Sequence, residues 1–364
     1  MKKKWIAFLI LCVMSLSLFT ACKPALPEEE AVADAEVVGD SNAEDEDTPQ
    51  DRPVVNDGEQ QIIVEDSTPE EKPSKEEEQE APEKEEESTL PEETDPYEVP
   101  ISKTEATTED GVKYFLENKL KVVSYNIRCV SDPNGNSIEE RAPRLEEVIK
   151  KYDPDIMGFQ EFTVPWEMPA DFSFSDEYDY VLKYRADSNL EATPVFWKRS
   201  KFKLLDSGTY WLSETPEESS KGWGADHYRI VTWVKLEIRQ TGKVVYFCST
   251  HFDFTDEPQV NSAKLIIDRV KKQFKNAPTI IVGDYNMTRA SKGYAEMTSF
   301  FTDANLKKDA TKTYTGYGEP KSLIDFIFYT GMTIKGTHYN VMNEKPQGNF
   351  VSDHFGVYSE VIVL

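Results

Sequence analysis

The rhythm of apolar and polar positions changes near residue 119. Before it no apolar period is kept; after it, short runs of β-branched and aromatic residues alternate with stretches at helical spacing. Leu120 to Arg128 alternates with period two and predicts a strand. Arg141 to Tyr152 then predicts a helix, with Ala142, Leu145, Val148 and Ile149 on one face and Asp153-Pro154 as its stop. Ile156 to Glu161 reads as a buried strand, and strand, helix, strand is a layered unit. Lys203 to Leu212, Ile230 to Arg239 and Lys243 to Ser249 predict antiparallel strands, the last two joined by the turn Gln240-Thr241-Gly242. Asp256 or Glu257 with Pro258 opens a second helix whose stripe from Val260 to Phe274 is core. A buried strand ending at Asp284, a short helix over Lys292 to Phe301, a strand around Ile324 to Phe328 and a last strand from Phe355 to Leu364 follow. Spacing alone supports a mixed α/β or α+β domain of residues 119–364, long enough for one large core.

Several of these strand ends carry reactive side chains. Asn126 closes the first strand, Glu161 ends Gly158-Phe159-Gln160-Glu161, and His251 lies in Thr250-His251-Phe252-Asp253. Asp284 and Asn286, two apart in Gly283-Asp284-Tyr285-Asn286, can share a face where a strand leaves the core. Asp325 sits inside the apolar run Ile324 to Phe328, where an unpartnered carboxylate is costly, and Ser352-Asp353-His354 opens the last strand. One carboxylate at a strand end is ordinarily a turn or cap residue. Six such motifs in one domain point to a site.

In this order the motifs YNI, QE, THFD, GDYN, IDFIF and SDH resemble the endonuclease/exonuclease/phosphatase superfamily of metal-dependent phosphohydrolases, over about Lys119 to Leu364. The resemblance implies a four-layer sandwich: two mixed, mostly antiparallel sheets flanked by helices. It implies that Glu161, with Asn126 and Asp353, holds Mg2+ or Mn2+, hard ions that take oxygen ligands. His354 would pair with Asp325, Asp284 and Asn286 would orient or deprotonate the attacking water, and His251 would donate to the phosphate. Whether Asp284 or His354 takes the proton is left open. Arg185 and Arg229 are expected to face the phosphate. Trp223 is either a packed loop aromatic or a lid, and Tyr314 to Gly318 a loop with a rim role as the alternative. His227 and His338, outside any motif, are expected to be surface or supporting residues.

Two departures stand out. Gly356 takes the place of a usual Pro after SDH and is expected to loosen that turn. Arg128 stands where some nucleases of the superfamily carry an acidic second metal ligand, which favours one metal over two.

Outside the domain, Met1 to Phe19 has a basic start and an apolar run too short for a mature span, followed by Thr20-Ala21-Cys22. This predicts a lipoprotein signal peptide over 1–21, lipidation of Cys22 and an extracytoplasmic protein anchored to a bacterial cell membrane. Residues 22–118 are expected to form a disordered acidic tether, because they cannot bury enough apolar surface to offset ordering entropy. Residues 23–118 carry 33 acidic and 7 basic side chains, so nearly all of the chain's net charge of −26 belongs to them and about −3 to the domain. As a coil this tether spans at least about 55 Å. A near-neutral domain lacks the basic excess of a dedicated nucleic-acid binder. Nucleic acid is therefore considered only as a substrate, beside phospholipid headgroups and phosphorylated sugars or wall polymers. A catalytically silent binding module is the alternative from another class. The domain is expected to be a monomer, and Cys129 and Cys248 are not predicted to pair.

Overall fold

The structure, a computed structural model, describes residues 95–364. The signal segment, Cys22 and the tether as far as residue 94 lie outside the described residues.

Sheet and helix follow each other in a regular order. A hairpin of β1 (Glu105–Thr107) and β2 (Lys113–Phe115) leads to β3 (Lys119–Asn126), α1 (Ile138–Tyr152), β4 (Ile156–Gln160), β5 (Phe162–Thr163) and α2 (Val164–Phe174). Then come β6 (Tyr178–Val181), β7 (Tyr184–Ala186), β8 (Asn189–Ala192), β9 (Val195–Lys198), β10 (Phe202–Trp211), β11 (Ile230–Ile238) and β12 (Lys243–His251). The chain ends with α3 (Asp256–Lys272), β13 (Thr279–Asp284), α4 (Lys292–Thr298), β14 (Thr302–Asp303), β15 (Asp325–Tyr329), β16 (Ile334–Met342) and β17 (Gly356–Val363). One six-stranded sheet has the order β16-β17-β3-β4-β9-β6 and the other β10-β11-β12-β13-β15-β14. Among the described residues, only β3 with β4 and β12 with β13 are parallel.

The alternation along each strand sorts the core into three apolar layers. Val122, Ile156 and Val195 of the first sheet meet Val234, Phe247, Ile280 and Val282 of the second. Their neighbours Val123, Tyr125, Met157 and Phe159 face α1 and α2 instead, against Leu145, Val148 and Trp166. Val231, Cys248 and Ile281 face α3 through Ala263, Ile266 and Val270. Each such side chain, fully buried, contributes roughly 1.5–3 kcal/mol. Helix, sheet, sheet, helix is the sandwich the motifs implied.

Local signals set the element ends. Ser137 caps α1 in a capping box with Glu140, so the helix begins before the expected Arg141; Asp153, at φ 50°, stops it. The tether boundary moves more. Residues 95–118 are part of the structure: Asp95 and Arg239 form an ion pair, Glu117 accepts the Thr104 N–H, and buried Asn118 accepts from Thr241 Oγ1 at 2.6 Å. These are polar ties, which an apolar-period reading does not register. Cys129 and Cys248 form no disulfide among the described residues, and no helix there is long and apolar enough to cross a membrane.

Gly356, expected to loosen a turn, is the first residue of β17. A Cβ there would stand 2.6 Å from the Tyr125 ring, so glycine is what lets β17 close onto β3.

Candidate active site

All of the reactive strand ends lie on one edge of the sandwich. The parallel pairs deliver their carboxyl ends together: Asn126 is level with Gln160, the residue before Glu161, and His251 is level with Asp284. Asp325 opens β15 opposite Asp284, and Asp353-His354 lies just before β17, which runs antiparallel to β3. The carboxyl end of parallel strands is where α/β folds gather ligands.

Asp284 is the hub. Its Oδ2 accepts from Asn126 Nδ2 at 3.0 Å and lies 3.5 Å from His251 Nε2 and 3.7 Å from His354 Nε2. Its Oδ1 accepts the Asn286 N–H at 2.9 Å. Asn126 Nδ2 also donates to Glu161 Oε1 at 3.0 Å, while its own Oδ1 accepts the Arg128 N–H. Asn126, expected as a metal ligand, thus joins Glu161 to Asp284. Glu161 adopts a left-handed φ of 59° and takes the Cys129 N–H on Oε2 at 2.9 Å. Burial disfavours its charge, but His251, Arg128 and these donors hold its carboxyl well below the usual range.

The two histidines differ in their support. His354 Nδ1 pairs with Asp325 Oδ2 at 3.0 Å, both side chains buried. Burial lowers the affinity of His354 for its proton, yet Asp325 and Asp284 more than compensate and push its pKa up to about 10. Burial and the Asp284 charge raise the Asp325 carboxyl, against the pull of His354. His251 Nε2 faces Asn286 Nδ2 at 3.0 Å, and that amide also donates to the Phe252 carbonyl. In neutral His251, Nε2 is therefore the acceptor and Nδ1 carries the proton. Nδ1 points at Glu191 Oε1 3.6 Å away, beyond hydrogen-bond range, and the contact becomes an ion pair when the ring is protonated.

Glu191 has no motif and sequence reasoning missed it. Arg185 Nη1 clamps it at 2.7 Å, with both side chains buried, so the Arg185 guanidinium expected at the phosphate is engaged by Glu191. A buried Arg in a weak strand, answered by a Glu on the next, was the only available signal. Arg229 is 3% exposed; its Nε lacks a hydrogen bond and stands 3.5 Å from Asp253 Oδ2. His227 leans edge-on against Phe254 and its N–H donates to Asp253, which places it at the rim, while His338 is exposed on β16. Trp223 is half-buried against the α3 core with its N–H on Glu214, the packed alternative rather than a lid. The Tyr314 turn belongs to the site. Its ring lies 5.0 Å from that of His354, and Thr315 and Gly316 donate to the Asp353 carbonyl.

Two donor sets could hold a cation. Asp284, Asp325 and His354 each offer an atom within 4.8 Å of the others. His354, however, is committed on Nδ1 to Asp325 at 3.0 Å, with Nε2 3.7 Å from Asp284 Oδ2, so its ring is engaged by the two carboxylates of the same set. Glu161 and Asp353 fit better. Both offer carboxylate oxygens, and burial together with the charge of Glu161 raises the Asp353 carboxyl, the sign of crowded negative charge. Hard oxygen donors of this kind suit a divalent ion.

Carboxylates for a hard cation, a hub aspartate and two carboxylate-backed histidines define a phosphoester hydrolase. The chain belongs to the Endonuclease/Exonuclease/phosphatase family, whose model matches residues 123–354. Members of that family hydrolyse phosphoester bonds and generally use divalent metals. Among solved structures, the endonuclease/exonuclease/phosphatase from Bacteroides vulgatus is 29% identical at a TM-score of 0.63, covering 68% of this chain and 99% of that one. A mannosyl-6-phosphatase of Bacteroides thetaiotaomicron VPI-5482 is 28% identical at a TM-score of 0.62, covering 67% and 99%. An uncharacterized protein of Acanthamoeba polyphaga mimivirus is 26% identical over 179 residues, 46% of this chain and 67% of that protein.

Proposed function

We propose that the chain is a metal-dependent phosphoesterase for small phosphoesters, with a phosphorylated sugar as the first candidate. The mannosyl-6-phosphatase relative, aligned over nearly its whole length, supports the sugar phosphate. The near-neutral domain gives no comparable support to a polyanion. The observation that carries the reading is Asp284 Oδ2, which meets Asn126 and both histidines at one point.

His354, protonated at neutral pH, is a donor and not a base. Asp284 Oδ2 therefore takes the proton of the attacking water as its oxygen adds to phosphorus and the ester P–O bond breaks. His354 Nε2 donates to the phosphoryl oxygens, and Asn286 fixes the His251 ring beside Asp284. Asn126 holds Glu161 and Asp284 at a fixed separation through one amide nitrogen. Glu161 and Asp353 would hold a Mg2+ or Mn2+, which when bound would neutralise charge developing on the phosphoryl and leaving oxygens.

The same proposal places the enzyme outside the cell membrane, as a monomer anchored through a lipidated Cys22 and spaced from it by the acidic segment. The basic and apolar start before Thr20-Ala21-Cys22 supports this. Replacing Cys22 by Ser should move the chain from the membrane fraction to the soluble one; retention would refute the anchor.

The test of catalysis is hydrolysis by the full chain, with Mg2+ or EDTA, of mannose 6-phosphate and other sugar phosphates, p-nitrophenyl phosphate, bis-p-nitrophenyl phosphate, sphingomyelin, RNA and plasmid DNA. Metal-dependent turnover lost in His354→Ala is expected, greatest on sugar phosphates. Preference for RNA or DNA would replace that substrate class by the nuclease, and turnover of no member would favour the binding module.

A further inference from the structure

Arg128 is a site cation that the chemistry above leaves unused, and it stands among the carboxylates expected to hold the metal. Its Nη1 lies 3.9 Å from Glu161 Oε2 and its Nε 3.8 Å from Asp353 Oδ2. Nε also donates to Asp132 Oδ2 at 3.1 Å, and Asp132 is held in turn by the Tyr317 hydroxyl. The backbone is built to aim it there. Arg128 adopts φ 65°, in the left-handed region that a non-glycine residue enters at a cost. Its N–H is on Asn126 Oδ1, and its carbonyl accepts from Trp166 Nε1 at 2.9 Å and Arg141 Nη2 at 3.3 Å. A side chain so fixed, 14% exposed, is a permanent part of the site.

We propose that Arg128 is a built-in cation that restricts the site to one divalent ion and weakens that ion's binding. Glu161 and Asp353 would be shared between the guanidinium and the metal. A fixed positive charge about 4 Å from both ligands repels an incoming dication and occupies the side from which a second ion would approach. The consequence is an enzyme whose metal exchanges readily and whose second positive charge is always present, independent of metal supply.

The inference rests on the metal-dependent reading above, and the experiment separates the two. Mn2+ binding to the full chain is followed by electron paramagnetic resonance of the free ion, with Glu161→Gln as the baseline that removes ions held by the acidic segment. The unaltered chain should bind one Mn2+ above that baseline. Arg128→Gln should bind Mn2+ at least ~10-fold more tightly, since even a screened charge at this distance is worth more than a pKa unit. Arg128→Lys, which keeps the charge, should stay within about threefold of the unaltered chain. Two ions in the unaltered chain, or unchanged or weaker binding in Arg128→Gln, would overturn the proposal while leaving the metal reading intact. No binding above the baseline would overturn both. Should Arg128→Gln fail to fold, the stoichiometry of the unaltered chain and the Lys variant still decide.

Discussion

Replacing Asp325 by Asn removes one charge and almost no volume from a buried pair. Asp325 Oδ2 is 3.0 Å from His354 Nδ1, and its other oxygen has no hydrogen bond. Two unit charges about 3 Å apart at an effective dielectric of about 20 attract by roughly 5 kcal/mol. Each pKa unit is about 1.4 kcal/mol, so the pair accounts for up to ~4 units. In the metal-free chain His354 should fall from about 10 toward the ordinary 6.5, because burial then acts against its proton with Asp284 and Asp353 left to oppose it. The sign for stability follows. A folded pKa above the unfolded value stabilises fully below about pH 6.5 and loses that contribution as pH rises through about 10. Unaltered chain should therefore lose stability between these values, and Asp325→Asn should lack the loss. With four histidines in the chain, imidazole resonances can be titrated one by one by nuclear magnetic resonance. Hydrolysis at pH 7 should drop by about 10²–10⁴-fold as the proton donor is lost. A His354 midpoint within one unit of the unaltered value would refute the argument that Asp325 sets it.

Other predictions follow from the same geometry. Glu161→Gln should remove thermal stabilisation by Mn2+ and lower kcat/KM by ~10²–10³-fold, the scale of a lost charge-stabilising group; a preserved Mn2+-dependent rise in Tm would contradict its role. Glu191→Gln leaves the His251 ring without its partner and should cost ~10–100-fold in kcat with KM little changed; an equal loss in KM alone would assign Glu191 to binding instead. Gly158→Ala puts a Cβ 2.5 Å from Val282 and 2.7 Å from Ser249 Oγ, between the two sheets. Urea unfolding should show about 1–3 kcal/mol of lost stability, and an unchanged midpoint would mean the sheets can part there.

Legibility in the sequence tracked whether a residue sits in a regular period. Asp284 and Asn286 could be placed because a β-branched run with alternation fixes which side chains share a face. Asp325 was visible as a carboxylate in an apolar strand, and its burial against His354 is the reason it is tolerated. Arg185 and Glu191 were not legible, because β7 and β8 are short strands whose pairing with each other decides what they meet. Arg185 was expected to face the phosphate, and its salt bridge to Glu191 depends on a pairing that no motif marks. Gly356 was misread since the Tyr125 ring that requires it is distant in the chain. Residues 95–118 carry their ties in single polar contacts, and α2 contains Pro165 and Pro169, which argue locally against a helix that Trp166 and Ala170 anchor by burial.

The last strand has an interior place: β17 lies between β16 and β3, and Asp353-His354 precedes it by one residue. The second sheet is a continuous run from Phe202 to Asp303 and Tyr329, whereas the first waits for residues from both ends of the domain. During vectorial synthesis the second sheet can pair while β3 and β4 still have an open edge, and emergence of the final residues seals it. Asp353, His354 and the strand that follows them thus come after every other element of the site. A chain interrupted before residue 354 lacks His354 and an interior strand of the first sheet together.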